Sequence, residues 1–534
     1  MPGYAAPRSP NARHLRSAGV LGSAILAVAG CLLPGGAAAA SWGPAAAPLV
    51  DVAVTATATA DTEQPGHRAA LAVDGDGATT WCPTGPGGAI TIDLGRPQAI
   101  EGFGLTLLGA GPGDVRLETG PKPGNLRPAA TASNVAAGVP TWLSARLPTP
   151  VRYVRATVTG SAPGSPCLSA VRVLARSARG MVLGDDLSFA VQESAVHNVF
   201  RDRGVARLPE EILAAHGANY VRLRLWNDPP GGYSDLPSVL AMAKRAKTAG
   251  MRILLDFHYS DFWADPQGQA TPRAWQGQDL PALATTVRNF TRDTLNALAA
   301  QHTPASMVAI GNEIRNGMLW PAGKVDWSTG AGWDALGTLL RAGAAGAADA
   351  AGPTPLIQLH FDQGGDNESS RRFFDNVVAQ RVPFDVIGLS YYPFWHGTVS
   401  QLRANLDDLA TRYGKQVALA ETQYAWTLAD GDSTGNFMWQ ESQLLPGYPA
   451  TPGGQLAFVS DLTSILAAVP GGRGLGLFYW QPEWIPGVGW TPGEGTPNDN
   501  LTQFDFDGDA LPAVSSADPL RACRLYPAQV ACGR

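Results

Sequence analysis

The stretch "MVAIGNEIRNGMLW", Met307 to Trp320, is an apolar run of strand character that stops at Gly311, Asn312 and Glu313. Further along, "QVALAETQYAW" repeats the pattern and ends its run at Glu421. A strand that stops at a carboxylate presents that group at its end. Two such groups brought together could serve as a proton donor and a nucleophile or base, which is what cleavage of a glycosidic bond requires. Either glutamate alone could equally be a strand-end salt bridge; "NE" on one strand with "ET" on another favours the catalytic reading.

Elements that alternate strand and helix must position the pair. From Met181 onward, strand-like runs ("VLGDDLSFAV", "NYVRLRLW", "MRILLDFHY", "MVAIGNE", "PLIQLHFD", "DVIGLSYY", "QVALAET" and "GLGLFYWQP") are separated by amphipathic helices. "LPSVLAMAKRAKTAG" places Leu236, Val239, Leu240, Ala243 and Ala246 on one face and stops at Gly250. These β-then-α units predict an α/β fold, a (β/α)8 TIM barrel over residues 181–534, with its functional groups at the C-terminal strand ends. An open doubly wound sheet would usually bring a Gly-rich phosphate loop, and none follows these strands. The strand ends carry Arg224, Trp226, Asp256, His258, Trp263, Asn312, Glu313, His360, Asp362, Tyr391, Tyr392, Trp395, Glu421 and Trp480. Such a rim suits a polysaccharide cleft, with aromatic rings for sugar faces and polar groups for hydroxyls. His258, His360 and His396 lie on separate strands and do not read as a catalytic metal triad, and no G-x-S-x-G elbow supports serine hydrolysis.

Upstream, residues 51–176 are strand-rich and turn-rich ("AITIDLG", "IEGFGLTLL", "VRYVRATVTG"), which predicts an all-β sandwich. The 534 residues exceed one ordinary core. With 45% hydrophobic and 16% charged residues the chain is globular, and a net charge of −6 with no basic stripe speaks against a nucleic-acid partner. Arg8, Arg13 and Arg16 precede an apolar run from Ala18 to Leu33 and small residues at Ala38 to Ala40, which reads as a signal peptide over residues 1–40 and a secreted protein. "VAGC" also resembles a lipobox, so lipid anchoring at the cell surface through Cys31 is the alternative. The remaining cysteines, Cys82, Cys167, Cys523 and Cys532, are even in number and suggest two disulfides, whose pairing the spacing leaves open.

"LLDFHYSDFWADP", "GNEIRNGMLWP", "IGLSYYPFWHGT" and "ALAETQYAWT" resemble the arabinogalactan endo-β-1,4-galactanases of glycoside hydrolase family 53. "AALAVDGDGATTWCP" with "ITIDLG" resembles the discoidin-like (F5/8 type C) carbohydrate-binding modules, which implies an all-β jelly-roll for the upstream sandwich. The first resemblance implies Glu313 as general acid/base and Glu421 as nucleophile. It implies Asn312 on the sugar 2-hydroxyl, Arg224 and Tyr391 as hydrogen-bond partners of the nucleophile, and His258 and Trp480 lining the floor. It further implies structural Ca²⁺ in "DGDSTGN", held by Asp430, Asp432, Thr434 and Asn436 through oxygen donors; the family typically has His where Thr434 stands. The implied substrate is β-1,4-galactan (type I arabinogalactan), cleaved by a monomer with no protein partner and no organic cofactor. Mannan, xylan or arabinan as substrate, or a non-catalytic glycan-binding protein, are the competing readings, since many barrels share this frame.

Overall fold

Alternating burial along the N-terminal strands builds two sheets around one apolar layer. In β3 (Gly87–Gln98) Ile90 and Ile92 point inward, and in β8 (Val151–Gly160) Val154, Ala156 and Val158 do the same. The computed structural model describes residues 47–109, 111–160, 166–490 and 494–533; the expected leader and Cys31 lie outside them. One five-stranded sheet holds β2 (Thr57–Ala60), β3, β8, β5 (Gly113–Lys122) and β6 (Asn125–Val135). The other holds β1 (Leu49–Asp51), β9 (Cys167–Arg176), β4 (Ile100–Leu108), β7 (Thr141–Ser144) and β22 (Ala531–Gly533). Trp81, Phe103, Leu105, Leu117 and Leu168 fill the space between.

β22 corrects the domain boundary. The expected barrel domain ran to residue 534, yet Ala531–Gly533 pair in parallel with Thr141–Leu143 of β7 and complete the sandwich sheet. β7 otherwise offers an unpaired edge of N–H and C=O groups, which the C-terminal strand satisfies. Both disulfides form, Cys82–Cys167 within the sandwich and Cys523–Cys532 tying the returning strand to the helix before it.

The barrel closes through eight parallel strands: β10 (Val182–Asp186), β13 (Tyr220–Leu225), β14 (Arg252–Phe257), β15 (Met307–Ile310), β18 (Leu356–Phe361), β19 (Val386–Tyr391), β20 (Gln416–Thr422) and β21 (Gly474–Tyr479). Two short hairpins, β11–β12 (Arg201–Asp202 and Val205–Ala206) and β16–β17 (Gly317–Met318 and Gly323–Lys324), decorate its loops. Strand parity sorts the residues. Val221, Leu223, Leu255, Phe257, Leu359, Leu389 and Leu419 face outward to the helices, while Val182, Tyr220, Leu254, Met307, Ala418 and Phe478 plug the interior. Gly184 is required there, because a Cβ would stand 2.2 Å from the Phe478 ring.

Besides α1 (Ala190–Ala195), α2 (Pro209–Ala215), α4 (Leu280–Ala300), α5 (Trp333–Asp349), α6 (Asn367–Ala379) and α7 (Pro393–His396), the helices described next obey the same logic. α3 (Leu236–Ala249) starts where the Asp235 side chain accepts from Ser238 N and ends at Gly250 in the left-handed conformation (φ 88°). It buries Val239, Met242, Ala243 and Ala246, while Leu236 and Leu240 are only half-buried. A fully buried aliphatic side chain stabilises the fold by about 1.5–3 kcal/mol. α9 (Pro452–Ala468) is buried on nearly every face, because it lies between barrel and sandwich rather than at the surface. α10 (Pro519–Leu525) packs against it, and α8 (Val399–Tyr413) connects β19 to β20. Among the described residues no helix is long and apolar enough to cross a membrane.

Candidate active site

Inward parity carries a polar constellation to the C-terminal mouth of the barrel. Asp186, Arg222, Arg224, Asp256, His258, His360 and Ser390 all continue the inward-facing series of their strands. Glu421 does not, since strict alternation after inward Ala418 would turn it outward. A bulge at Ala420 corrects this, pairing Leu389 with Leu419 but Ser390 with Glu421. Glu313 is delivered differently, by a left-handed backbone (φ 47°, ψ 51°) just after β15. Holding a glutamate there costs about 1–3 kcal/mol, which the surrounding contacts must offset.

An oxygen of Glu313 and an oxygen of Glu421 lie within 4.8 Å of each other. Arg222 Nη2 donates to Glu421 Oε1 at 2.7 Å, and the Tyr392 hydroxyl donates to Oε2 at 2.8 Å. The same guanidinium donates to Asp256 Oδ2 (2.6 Å), Asn312 Oδ1 (2.8 Å) and Asp186 Oδ2. Arg222 is fully buried, and although burial works against its charge, the carboxylates hold it protonated. Burial pushes Glu421 up, to about 7, against the pull of Arg222 and Tyr392. Burial, the Glu421 charge and Asp362 push Glu313 well above the usual glutamate range. One proton left in the pair therefore resides on Glu313, and Glu421 is the more acidic partner.

The hydrogen-bond chain behind Glu313 agrees. Asn312 Nδ2 donates to the Ala264 carbonyl (2.8 Å) and Oδ1 accepts from Arg222, which fixes the amide orientation. His360 Nδ1, 2.9 Å from that Oδ1, must then carry the ring proton, since burial pushes the imidazole down to about 3 and leaves it neutral. His360 Nε2 is left to accept from Ser390 Oγ at 2.9 Å. Ser390 Oγ lies 2.6 Å from Glu313 Oε1; it donates to an ionised Glu313 and can accept from a protonated one. Only the protonated carboxyl satisfies every member of the chain.

Two expected partners of the nucleophile are replaced by neighbours. Tyr391 points outward, where its hydroxyl donates to the Gly397 carbonyl (3.0 Å); Tyr392, one residue on, has the inward parity. Arg224 shares the parity of Arg222 but sits one layer nearer the mouth. Its guanidinium carbon lies 4.1 Å from the Trp263 ring centre, 4.6 Å from Trp226 and 4.8 Å from Phe189, and Nη2 donates to Ser234. Arg224 thus braces an aromatic wall rather than Glu421. His258 is buried, pairs with Asp256 Oδ2 at 3.2 Å and accepts from Trp226 Nε1. Trp480 stands edge-on to Tyr392 and to Trp263, with ring centres 6.4 and 6.3 Å apart. Asn312 joins the constellation with its amide already engaged. A row of aromatic rings, each set steeply to the next, runs from Trp480 and Trp263 through Trp490 and Phe437 to exposed Trp395. Arg222 and Ser390 were missed in the sequence, and Tyr392 was read only as part of the strand-end rim; inward parity, counted from the outward Leu and Ile residues, was the available signal for Arg222 and Ser390.

The expected metal loop is brought together with one residue from far along the chain. Carboxylate oxygens of Asp430, Asp432 and Asp499 lie within 4.8 Å of one another. Asp499 Oδ1 and Asn436 Oδ1 are buried without a partner, while Asp499 Oδ2 accepts from Gly431 N (2.9 Å). Burial raises Asp499 to about 6, and the charges of Asp432 and Asp430 add to it. Clustered acidic oxygens and orphaned buried acceptors are the donor set a hard cation needs. Thr434 lies beside Asp432, whose Oδ1 accepts from Thr434 N at 2.7 Å.

Known proteins share this architecture. Residues 182–516 match the model of glycosyl hydrolase family 53, and residues 54–173 match the F5/8 type C domain. An uncharacterised protein of Niallia circulans is 44% identical over 340 residues, covering 63% of this chain and 93% of that one. A probable arabinogalactan endo-β-1,4-galactanase A of Aspergillus terreus is 38% identical over 343 residues, 62% of this chain and 93% of that one. The solved Ignisphaera aggregans GH53 catalytic domain superposes with a TM-score of 0.60 at 39% identity, covering 63% of this chain and 95% of that one. The family match spans all eight barrel strands and both facing glutamates, so the chain belongs to glycosyl hydrolase family 53 and is a glycosidase.

Proposed function

We propose that the protein is a secreted endo-β-1,4-galactanase that cleaves the (arabino)galactan side chains of pectin, as a monomer, with retention of configuration. The carrying observation is the approach of Glu313 and Glu421 to within 4.8 Å, closer than the roughly 6.5–9.5 Å at which an inverting pair holds substrate and water together, which suits a double displacement. Glu421 Oε attacks the anomeric carbon while Glu313 gives its proton to the departing glycosidic oxygen. The C–O bond breaks with its electron pair, and a galactosyl–Glu421 ester forms. Glu313, now ionised, takes a proton from water, whose oxygen attacks the anomeric carbon and releases Glu421. Arg222 and Tyr392 orient the nucleophile and receive its charge when the ester breaks. The galactanase names among the relatives support the substrate.

Incubating the purified protein with linear β-1,4-galactan, mannan, xylan and arabinan tests this reading. Short β-anomeric galacto-oligosaccharides, appearing first and from galactan alone, are expected. Products from another polymer, or α-anomers first, would overturn it. The rate should follow a bell, falling on the acid side as Glu421 takes a proton and on the alkaline side as Glu313 loses one. Because both folded values are raised, stability from the neutral pair is full below the unfolded glutamate value of roughly 4.3 and is lost as pH rises. Glu313→Gln, neutral throughout, should therefore be inactive yet melt higher than the parent at pH 8, read by thermal denaturation.

For the loop after β20 the proposal is structural Ca²⁺, held by Asp430, Asp432, Asp499 and Asn436 with Thr434 alongside. The ion would supply positive charge to the clustered carboxylates. EDTA should lower the melting temperature by several degrees, about 2–4 °C for each kcal/mol of binding energy lost. Excess Ca²⁺ should restore it, and Asp499→Ala should melt low with no response to either reagent.

A further inference from the structure

The sandwich is fastened to the catalytic face through one tight loop, Asp74 to Thr79. Asp76 Oδ2 accepts from Ser400 N (3.2 Å) and Ser400 Oγ (2.7 Å) in the first turn of α8, and Arg403 Nη1 donates to the Asp74 carbonyl at 2.7 Å. Gly77 N donates to the Tyr448 hydroxyl at 3.2 Å. Tyr448 in turn donates to Asp461 Oδ2 (2.7 Å), and Asp461 is gripped by the two-pronged guanidinium of Arg172 on β9 (2.6 Å to each oxygen). The two backbones touch: a Cβ at Gly447 (φ 82°) would stand 2.3 Å from the Gly77 carbonyl oxygen.

Ser400 and Tyr448 are not remote from the chemistry. The α8 start follows the turn whose Gly397 carbonyl holds Tyr391, and the adjacent Tyr392 donates to Glu421. The Tyr448 carbonyl accepts from the Tyr424 hydroxyl at 2.7 Å, and Tyr424 shortly follows Glu421 on the same chain segment. The two loops gripped by the sandwich are thus the two that bring Tyr392 and Glu421 to each other.

We propose that the sandwich is a positioning element of the active site: through Asp76 and Gly77 it fixes the loops after β19 and β20 and so holds Tyr392 against Glu421. A module that only tethers polymer would matter for long substrates alone; a positioning element matters for the shortest ones. The kinetic arm rests on the galactan reading above. In the full chain, Asp76→Ala should lower kcat on a short β-1,4-galacto-oligosaccharide about tenfold with KM changed less than about twofold. Asp76→Asn, which keeps an acceptor for Ser400, should recover most of that loss. Amide hydrogen exchange, which needs no substrate, should quicken in residues 391–403 and 423–448 of Asp76→Ala. Ser400→Ala removes one exposed hydroxyl and serves if Asp76→Ala does not fold; the same segments should loosen, with about a threefold loss of kcat. Unchanged exchange there in either variant would overturn the inference, as would unchanged kcat alongside a lowered melting temperature. A parent protein inactive on the oligosaccharide would overturn the galactan reading alone, because the exchange result stands without it.

Discussion

Glu421→Ala is expected to lower hydrolysis by about four orders of magnitude or more, because no other group can form the covalent intermediate. Azide, small enough to occupy the vacated space, should restore turnover of an activated aryl galactoside and give the α-galactosyl azide. Attack then comes from the face that Glu421 occupied, with Glu313 still able to protonate the leaving group. Glu313→Ala should behave oppositely. An activated leaving group departs without its proton, the ester on Glu421 accumulates, and azide releases it as the β-azide. The product anomer, read by NMR, assigns each carboxylate its role independently of sequence. The same anomer from both variants would sink the division of labour drawn from Arg222, Tyr392 and Ser390.

Arg222→Ala should be the most damaging substitution outside the pair. It leaves Asp186, Asp256 and Glu421 in the barrel mouth without their shared cation. Breaking a buried ion pair on one side costs about 3–5 kcal/mol, and here three carboxylates lose the same partner. Despite burial, which works to raise it, Asp256 is held at about 2 by Arg222 and His258. A depressed carboxylate contributes stability above its unfolded value of roughly 3.9 and loses it as pH falls through the folded one. The deficit of Arg222→Ala, measured by denaturant unfolding, should accordingly be largest near neutrality and shrink toward pH 4, where the stranded carboxylates take up protons. Arg222→Lys should rescue only part, since one ammonium lacks the planar fork that reaches four acceptors. A deficit independent of pH would contradict the charge argument.

Much of this was legible in the sequence, and the exceptions have physical causes. Strand runs, capped helices and polar strand ends announced the barrel and both glutamates, because parallel buried strands must be apolar until they reach the mouth. The choice between Tyr391 and Tyr392 turned on parity, which a run apolar on both faces hides. Arg222 and Arg224 share parity, and only depth in the barrel separates a partner of Glu421 from a brace for Trp263. The bulge at Ala420 has no local signature, since alanine is at home on either face. Asp499 joins Asp430 and Asp432 across an intervening helix and strand, a juxtaposition that only the closed barrel creates. The sandwich core was readable; its last strand was not, because three residues at the far end of the chain carry no long-range label.

That last strand sets an order of events. A ribosome finishes Leu49–Arg176 long before it reaches Ala531–Gly533, so the nascent sandwich carries an uncovered β7 edge throughout synthesis of the barrel. The sandwich is begun before the barrel and completed after it, and its exposed edge is a window for mispairing with another nascent chain that closes only when Ala531–Gly533 arrive.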